Sequence, residues 1–339
     1  MTQQAQDLDT PSLYIDLDIL ERNIRVMQER CREWGVALRP HAKTHKIAEI
    51  ARMQLAAGAV GLTVAKIGEL EVLPGDDFLI GYPLTPEKLP RLREAAKGRR
   101  VSVVTDSAES ARALTGIPAL VEIDAGIGRC GVGTPEACVA VARACDRFEG
   151  VFYWPSDLDE AGFRRGARLV ADCIAALKAA GLPPRTVSGG STPGARWTTL
   201  SPETTEVRPG TYVFQDATTV AEGVCAVGDC ALRVLVSVVS TAVPGRCIVD
   251  GGSKTFSSDR SSPPGTFGLL PDRSWKLIKL NEEHGIVQVD GGPAPRVGEK
   301  IWVIPNHICP AVNLHDSIFY GRAGRVEGAW PVTARGRVR

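Results

Sequence analysis

Two short stretches hold most of the side chains in this sequence that could do chemistry. In Arg39-Pro40-His41-Ala42-Lys43-Thr44-His45-Lys46, Lys43 has two histidines and a second lysine within three residues. A lysine crowded by like charge gives up its proton more readily, which suits it to form a Schiff base. A solvated basic cluster is the competing reading, and His41 and His45 taken alone read as hydrogen-bonded structural residues. In Pro305-Asn306-His307-Ile308-Cys309-Pro310, His307 and Cys309 alternate. On a strand both side chains would face the same way, and an imidazole and a thiolate could share one Zn²⁺ with waters in the open positions. Two ligands make a sparse site, so a structural pair remains open as well.

Two glycine-rich stretches complete the set. Ser188-Gly189-Gly190-Ser191-Thr192-Pro193-Gly194 could present backbone N–H groups and two hydroxyls to a phosphate, or be a plain strand-to-helix loop. Asp124-Ala125-Gly126-Ile127-Gly128-Arg129-Cys130-Gly131 sets Arg129 in a flexible turn, as an anion clamp or as a surface or capping arginine. His284 and His315-Asp316 are blander polar positions. Cys225 and Cys230 read as core or strand residues.

These segments need elements to position them. Short apolar runs at 36–39, 60–64, 78–80, 101–104, 119–123, 151–153, 185–188 and 205–213 alternate with helical patterns at 47–57, 67–72, 86–96, 108–114, 135–147 and 160–180. Buried runs joined by helical crossovers imply parallel strands. The expected class is α/β, a (β/α)8 TIM-like barrel over 18–225, with a doubly wound sheet as the alternative. In the barrel, the Lys43, Arg129 and Gly189-Gly190 segments follow the first, fifth and seventh strands, on the face where barrels place active sites. Past residue 226 the rhythm changes. Runs at 232–239, 246–250, 285–289 and 300–304, divided by Gly and Pro turns, predict a mostly antiparallel β domain over 226–339, joined by an N-terminal strand at 11–17. Residues 256–266 read as a mobile loop.

Bulk composition narrows the partners. The 339 residues are 44% hydrophobic and 23% charged, with a formal net charge of +1. No basic surplus points to nucleic acid or an anionic membrane surface. The most apolar stretch, Ala231 to Val243, contains Arg233 and is too short to span a bilayer. The polar start lacks a signal-peptide pattern, and nine irregularly spaced cysteines read as thiols of a cytoplasmic protein. A small molecule is the expected partner.

Taken together, the segments resemble the D-threonine aldolase and D-serine dehydratase family of fold-type III pyridoxal-phosphate enzymes. The resemblance runs from Thr10-Pro11-Ser12-Leu13 through the Lys43 motif, Val121-Glu122-Ile123-Asp124, Gly128-Arg129-Cys130-Gly131 and the Ser188 to Thr192 turn. It continues through Arg208-Pro209-Gly210-Thr211-Tyr212, Asp250-Gly251-Gly252-Ser253-Lys254, Glu283-His284-Gly285, Pro305 to Pro310 and Ala334-Arg335-Gly336. The glycine turns are generic; the lysine and His-x-Cys motifs, in this order and separation, are specific.

The resemblance implies an alanine-racemase-like barrel plus a β domain, usually as a homodimer. By motif position Lys43 would be the Schiff-base lysine and Arg129 the partner of the pyridine nitrogen. Ser188, Gly189, Gly190, Ser191 and Thr192 would lie at the phosphate, with His41 and Tyr212 also at the cofactor. His307 and Cys309 would bind a divalent metal, Zn or Mn, and Tyr153 would be an active-site tyrosine. The family usually carries a histidine shortly after that tyrosine. Here Phe152-Tyr153-Trp154-Pro155-Ser156-Asp157-Leu158-Asp159 has none, which leaves Asp157, Asp159 or a metal-bound water as the expected base. The implied reaction is aldol cleavage of a D-β-hydroxy-α-amino acid to glycine and an aldehyde, to which the Phe-Tyr-Trp-Pro stretch is similar. The alternative is dehydration of D-serine or 3-hydroxy-D-aspartate to a 2-oxo acid and ammonia, to which the His-x-Cys pair is similar. A racemase and a non-catalytic cofactor carrier are the further readings.

Overall fold

The structure is a computed structural model and describes residues 3–156, 159–259 and 265–339. The chain enters through β1 (Ser12–Asp16) and α1 (Leu17–Glu33). A (β/α)8 barrel follows. Its strands are β2 (Ala37–Leu38), β3 (Leu62–Val64), β4 (Asp77–Ile80), β5 (Arg100–Thr105), β6 (Pro118–Ile123), β7 (Arg147–Tyr153), β8 (Thr186–Gly189) and β9 (Glu206–Val207). Between them lie α2 (Ala48–Ala56), α3 (Ile67–Leu70), α4 (Leu89–Ala95), α5 (Ala108–Ala113), α6 (Pro135–Ala144) and α7 (Glu160–Ala179). The eight strands pair in parallel in the order β2-β9-β8-β7-β6-β5-β4-β3. The ring closes at a bridge between His41 and Thr63. There the Thr63 N–H donates to Pro40 O and the Ala42 N–H donates to Thr63 O, each at 2.8 Å.

The two-residue period of each strand sorts its side chains into two layers. Val121, Ile123, Val151, Tyr153 and Val187 pack outward on Cys138, Val141, Val170, Ile174 and Leu177 of α6 and α7. Leu79, Val104, Leu120 and Phe152 fill the barrel interior. Burial of each large aliphatic chain contributes about 1.5–3 kcal/mol, which explains why strands of two to seven residues suffice. Helix starts are set locally. Ser107 Oγ accepts from the Ser110 N–H, Thr134 Oγ1 from Ala137 and Asp159 Oδ1 from Gly162, each filling an otherwise orphaned donor.

The remaining strands are β10 (Leu232–Ser240), β11 (Arg246–Val249), β12 (Gly268–Leu269), β13 (Lys276–Leu280), β14 (Gly285–Gln288), β15 (Lys300–Pro305), β16 (Ser317–Arg322) and β17 (Arg325–Pro331). They form one sheet with β1, in the order β11-β14-β13-β12-β15-β10-β1-β16-β17. Because β11 also pairs with β10, six of these strands close into an antiparallel ring. The parallel pair β1–β16 is the exception to the antiparallel rule. Three short helices punctuate the unit: α8 (Ala217–Ala221), α9 (Ser253–Phe256) and α10 (Ile308–Asn313). By contacts one compact unit comprises 26–43, 50–210 and 337–339, and the other comprises 1–25, 44–49 and 211–336. The contact boundary therefore lies at 210/211, upstream of the change in sequence rhythm at 226. No helix among the described residues is long and apolar enough to cross a membrane.

One expectation is corrected. His307 and Cys309 do not lie on a strand: β15 ends at Pro305, His307 sits at the N-cap position and Cys309 is the second residue of α10. Pro310 has no N–H for a ladder but fits a first helical turn, where that donor has no intrahelical partner. The loop expected at 256–266 begins with the last residue of α9, and its centre, 260–264, lies outside the described residues.

Among the described glycines of the barrel, Gly150 supports the tightest strand contact. A Cβ there would lie 1.8 Å from Thr186 O of β8, and backbone cannot yield as a side-chain tip can. Gly150→Ala is expected to cost about 2–4 kcal/mol of stability. Chemical denaturation checks this, and an unchanged midpoint would count against the β7–β8 spacing described.

Candidate active site

Lys43 stands just past β2 and is half-buried. Its turn is held by His41, whose Nδ1 accepts the Lys43 N–H at 3.4 Å. Burial first, then the charges of Lys43 and Arg208, push the His41 pKa well below its usual value, so the ring is neutral. His45 repeats the device: its Nδ1 accepts the Ile47 N–H at 3.0 Å. Both histidines of the motif thus organise backbone. The positive charge near His41 comes from Lys43, Arg208 and Arg129.

Arg129 is placed by a loop built on Asp124. Asp124 Oδ1 accepts the N–H groups of Gly126, Ile127 and Gly128 at 3.1, 3.1 and 2.9 Å. Gly126 and Gly128 adopt φ of +118° and +69°, which lets the chain wrap one carboxylate oxygen. Exposed Arg129 then lies over Trp154, with its guanidinium carbon 4.9 Å from the ring centroid. Lys43 Nζ lies 5.2 Å from the same centroid. Trp154 follows β7 directly, a position that sequence reasoning passed over in favour of its neighbour Tyr153.

Tyr153 packs in the outer layer with α6 and α7, away from the interior. Its hydroxyl is 2.6 Å from Thr204 Oγ1 and donates to Ser201 Oγ at 3.1 Å. Strand alternation explains this: Phe152 faces inward, so Tyr153 must face outward. Asp159 spends Oδ1 on the α7 cap, at 2.5 Å from the Gly162 N–H. Asp157 lies outside the described residues. Tyr212 is fully buried in the short turn Thr211–Val213, in the unit that carries the β sheet.

The Gly189-Gly190 turn has the shape of a cradle. A Cβ on Gly189 would fall 2.3 Å from the Tyr153 ring, and Gly190 has φ +85°. Ser191 and Thr192 are buried, and Ser191 Oγ accepts the Gly194 N–H at 2.9 Å. The residues fit an anionic group held by backbone donors. The Ser188 hydroxyl is committed elsewhere: it donates to Glu206 Oε1 at 2.7 Å and accepts from Arg208 Nε at 2.8 Å.

Arg208 is the buried cation that sequence reasoning passed over. It is 4% exposed, donates to Tyr153 O at 2.5 Å and stacks its guanidinium carbon 3.5 Å from the Phe152 centroid. Burial lowers its pKa to about 10 against the pull of Glu206 and Glu122, so it stays charged at neutral pH. Glu122 faces inward by alternation with Leu120. Burial raises its pKa to about 7, opposed by Arg129 and Arg208.

In the other unit, His307 and Cys309 are brought together by tertiary contacts. Asp216 caps α8 by accepting the Thr219 N–H at 2.9 Å, and its second oxygen accepts the Ile308 N–H at 3.2 Å. His307 Nδ1 lies 2.6 Å from Asp259 Oδ2. Burial would lower the His307 pKa, but its hydrogen bonds to Cys309 and Asp259 hold it up at about 9. The Cys309 thiol donates to Thr44 Oγ1 at 3.2 Å. Among the described residues no group of three or more His, Cys, Asp or Glu forms a complete ligand set. The donor chemistry still fits a metal. An acidic partner on Nδ1 leaves Nε2 to ligate, and an imidazole-thiolate pair suits zinc.

Comparison with known proteins agrees with the fold. Residues 15–218 match the family model described as the alanine racemase N-terminal domain, and 231–320 match a putative serine dehydratase domain. A D-threonine aldolase of Arthrobacter sp. is 34% identical over 97% of this chain and 93% of its own. A D-threo-3-hydroxyaspartate dehydratase of Delftia sp. (strain HT23) is 34% identical over 89% of this chain and 91% of its own. The crystal structure of D-threonine aldolase from Filomicrobium marinum superposes with a TM-score of 0.90 at 34% identity, covering 100% of this chain and 99% of that one.

Tyr153→Phe is expected to lower stability by about 1–2 kcal/mol, the cost of leaving buried hydroxyl partners unmatched. Equal stability of the two proteins in denaturation would place the phenol outside this layer.

Proposed function

Because the chain belongs to the D-threonine aldolase and D-serine dehydratase family, with its alanine-racemase-like barrel, we propose that it is a pyridoxal-phosphate-dependent lyase of D-β-hydroxy-α-amino acids. The observation that carries this reading is half-buried Lys43 at the end of the first barrel strand. Arg129, Arg208 and the Gly189-Gly190 turn follow other strands at the same barrel face. Bound there, pyridoxal phosphate supplies an electron sink for charge developing at the substrate α-carbon. Lys43 Nζ would hold it covalently. Backbone N–H groups of the Gly189 to Thr192 turn would hold its phosphate, and Arg129 would meet the ring nitrogen. Arg208 adds a fixed positive charge that the barrel shields from water.

His307 and Cys309 would hold a divalent cation, with zinc favoured by the sulfur donor, and such an ion polarises a β-hydroxyl. With Asp159 capping α7, Asp157 is the remaining acidic candidate for a base in the segment after Trp154. The preferred reaction is aldol cleavage to glycine and an aldehyde. The second reading, dehydration, is favoured by Cys309, because the His-x-Cys pair resembles the family's dehydratases. We also infer a homodimer and a cytoplasmic setting.

Given D-threonine and zinc, the enzyme is expected to release acetaldehyde and glycine. Production of 2-oxobutyrate and ammonia alone would replace the aldolase reading with the dehydratase one. Lys43→Ala should lose the visible absorbance of lysine-bound cofactor, and an unchanged spectrum would remove Lys43 from its role. Cys309→Ala should lower zinc content while cofactor content holds. Stoichiometric zinc in that variant would argue against the His-Cys site.

A further inference from the structure

Cys225 and Cys230 flank a turn that closes on itself. The Asp229 N–H donates to Ala226 O and the Ala226 N–H donates to Asp229 Oδ2, each at 2.9 Å. From α1, Asn23 Nδ2 donates to Asp229 O at 2.8 Å and Arg22 pairs with Asp229 Oδ1 at 2.8 Å, which holds the turn in place. The two thiols share a hydrogen bond. That bond pushes the Cys225 pKa down and the Cys230 pKa up, so Cys225 is the sulfur that ionises and Cys230 keeps its proton. Cys225 is half-buried and Cys230 fully buried, so a small oxidant reaches the first before the second. Cys138 and Cys173 also share a hydrogen bond, but both are fully buried between α6 and α7.

The pair also touches the scaffold of the His307 loop. The Cys225 thiol donates to Thr219 Oγ1 at 3.4 Å. Thr219 forms the reciprocal cap of α8 with Asp216, whose second oxygen accepts the Ile308 N–H. Cys230 packs with Ala217 of α8 and Ile304 of β15.

We propose that Cys225 and Cys230 form an oxidisable dithiol site: hydrogen peroxide converts them to a disulfide that slackens the loop carrying His307 and Cys309. The Cys225 thiolate attacks one peroxide oxygen, the O–O bond breaks, and the hydroxide released takes up a proton. The Cys230 sulfur then attacks the sulfenic acid formed on Cys225. The S–O bond breaks, the S–S bond forms, and a second water leaves with the Cys230 proton. Two thiols thus lose two electrons, and one hydrogen peroxide is reduced to two waters. Disulfide sulfurs stand only about 2 Å apart and carry no S–H. Thr219 therefore loses its donor as Cys225 is drawn toward Cys230, and the cap that ties α8 to Ile308 is weakened.

The test uses the full chain, reduced or treated with hydrogen peroxide, as the parent and as Cys225→Ser and Cys230→Ala. Peptide mass mapping locates any disulfide, and amide hydrogen exchange is followed over 216–222 and 306–313. Exchange is compared in protein whose map shows Cys309 still reduced. In the parent, peroxide is expected to join Cys225 to Cys230 and a dithiol reductant to reverse it. Exchange in both segments is expected to quicken roughly three- to tenfold in the oxidised form. Each variant is expected to form no such bond and to exchange equally with and without peroxide. Absence of a Cys225–Cys230 bond in the treated parent would overturn the proposal. So would a bond that leaves exchange over 306–313 unchanged, or a variant whose exchange still responds to peroxide. None of these readouts uses cofactor, zinc or substrate, so the result stands apart from the reaction proposed above.

Discussion

A guanidinium inside a barrel is the interaction on which much of this unit depends. Removing a charged side chain from water costs several kcal/mol unless its donors and its charge are both met. Arg208 meets that demand with Ser188 Oγ, the Tyr153 carbonyl and the Phe152 ring. The opposing charge that acts on it most strongly is Glu206, which also takes Ser188 on one oxygen and Arg39 Nε on the other, at 2.9 Å. Arg39 continues to Asp77 at 2.7 Å. One chain of charges and hydroxyls thus spans the ends of β2, β4, β7, β8 and β9. Because the partners sit on different strands, the network also fixes the strands' relative registers, and with them the loops at the mouth.

That arrangement sets the electrostatics of the mouth. Lys43, Arg129 and Arg208 give it positive character although the whole chain carries a net charge of only +1. Local field, rather than net charge, is what recruits an anionic cofactor or amino acid. His41 adds nothing to that field, because burial keeps it neutral, but it shapes the turn from which Lys43 projects.

In the second unit the organising group is Asp216. Burial raises its pKa, and the backbone N–H groups of Thr219 and Ile308 offset that cost. Thr218 reinforces the link by donating through Oγ1 to Asn306 O at 2.7 Å. A loop tied down at both Asn306 and Ile308 presents His307 in one orientation, with Asp259 on Nδ1. This is the pattern in which outer partners aim a metal-binding imidazole.

The sequence by itself determined the barrel rhythm and the order of its strands. Buried parallel strands are continuous apolar runs, and that signal is local. It likewise marked Lys43, the Asp124 to Gly131 loop and the Gly189-Gly190 turn, because residues directly after barrel strands belong to one face. It did not mark β12, β13, β16 or β17. Two-residue β12 is too short to show a period, and Lys276–Leu280 and Arg325–Pro331 have largely exposed faces. Only the tertiary structure decided which face each residue turns. Tyr153 went outward and Trp154 took the mouth because Phe152 fills the interior. Arg208 became a buried cation because Glu206 and Ser188 receive it, and Cys309 joined a helix because Asp216, 93 positions earlier, accepts the Ile308 N–H. Each of those outcomes needs at least one partner distant in the chain, which no local pattern of residues encodes: Leu79, Val104 and Leu120 pack around Phe152, Ser188 accepts Arg208, and Asp216 accepts Ile308.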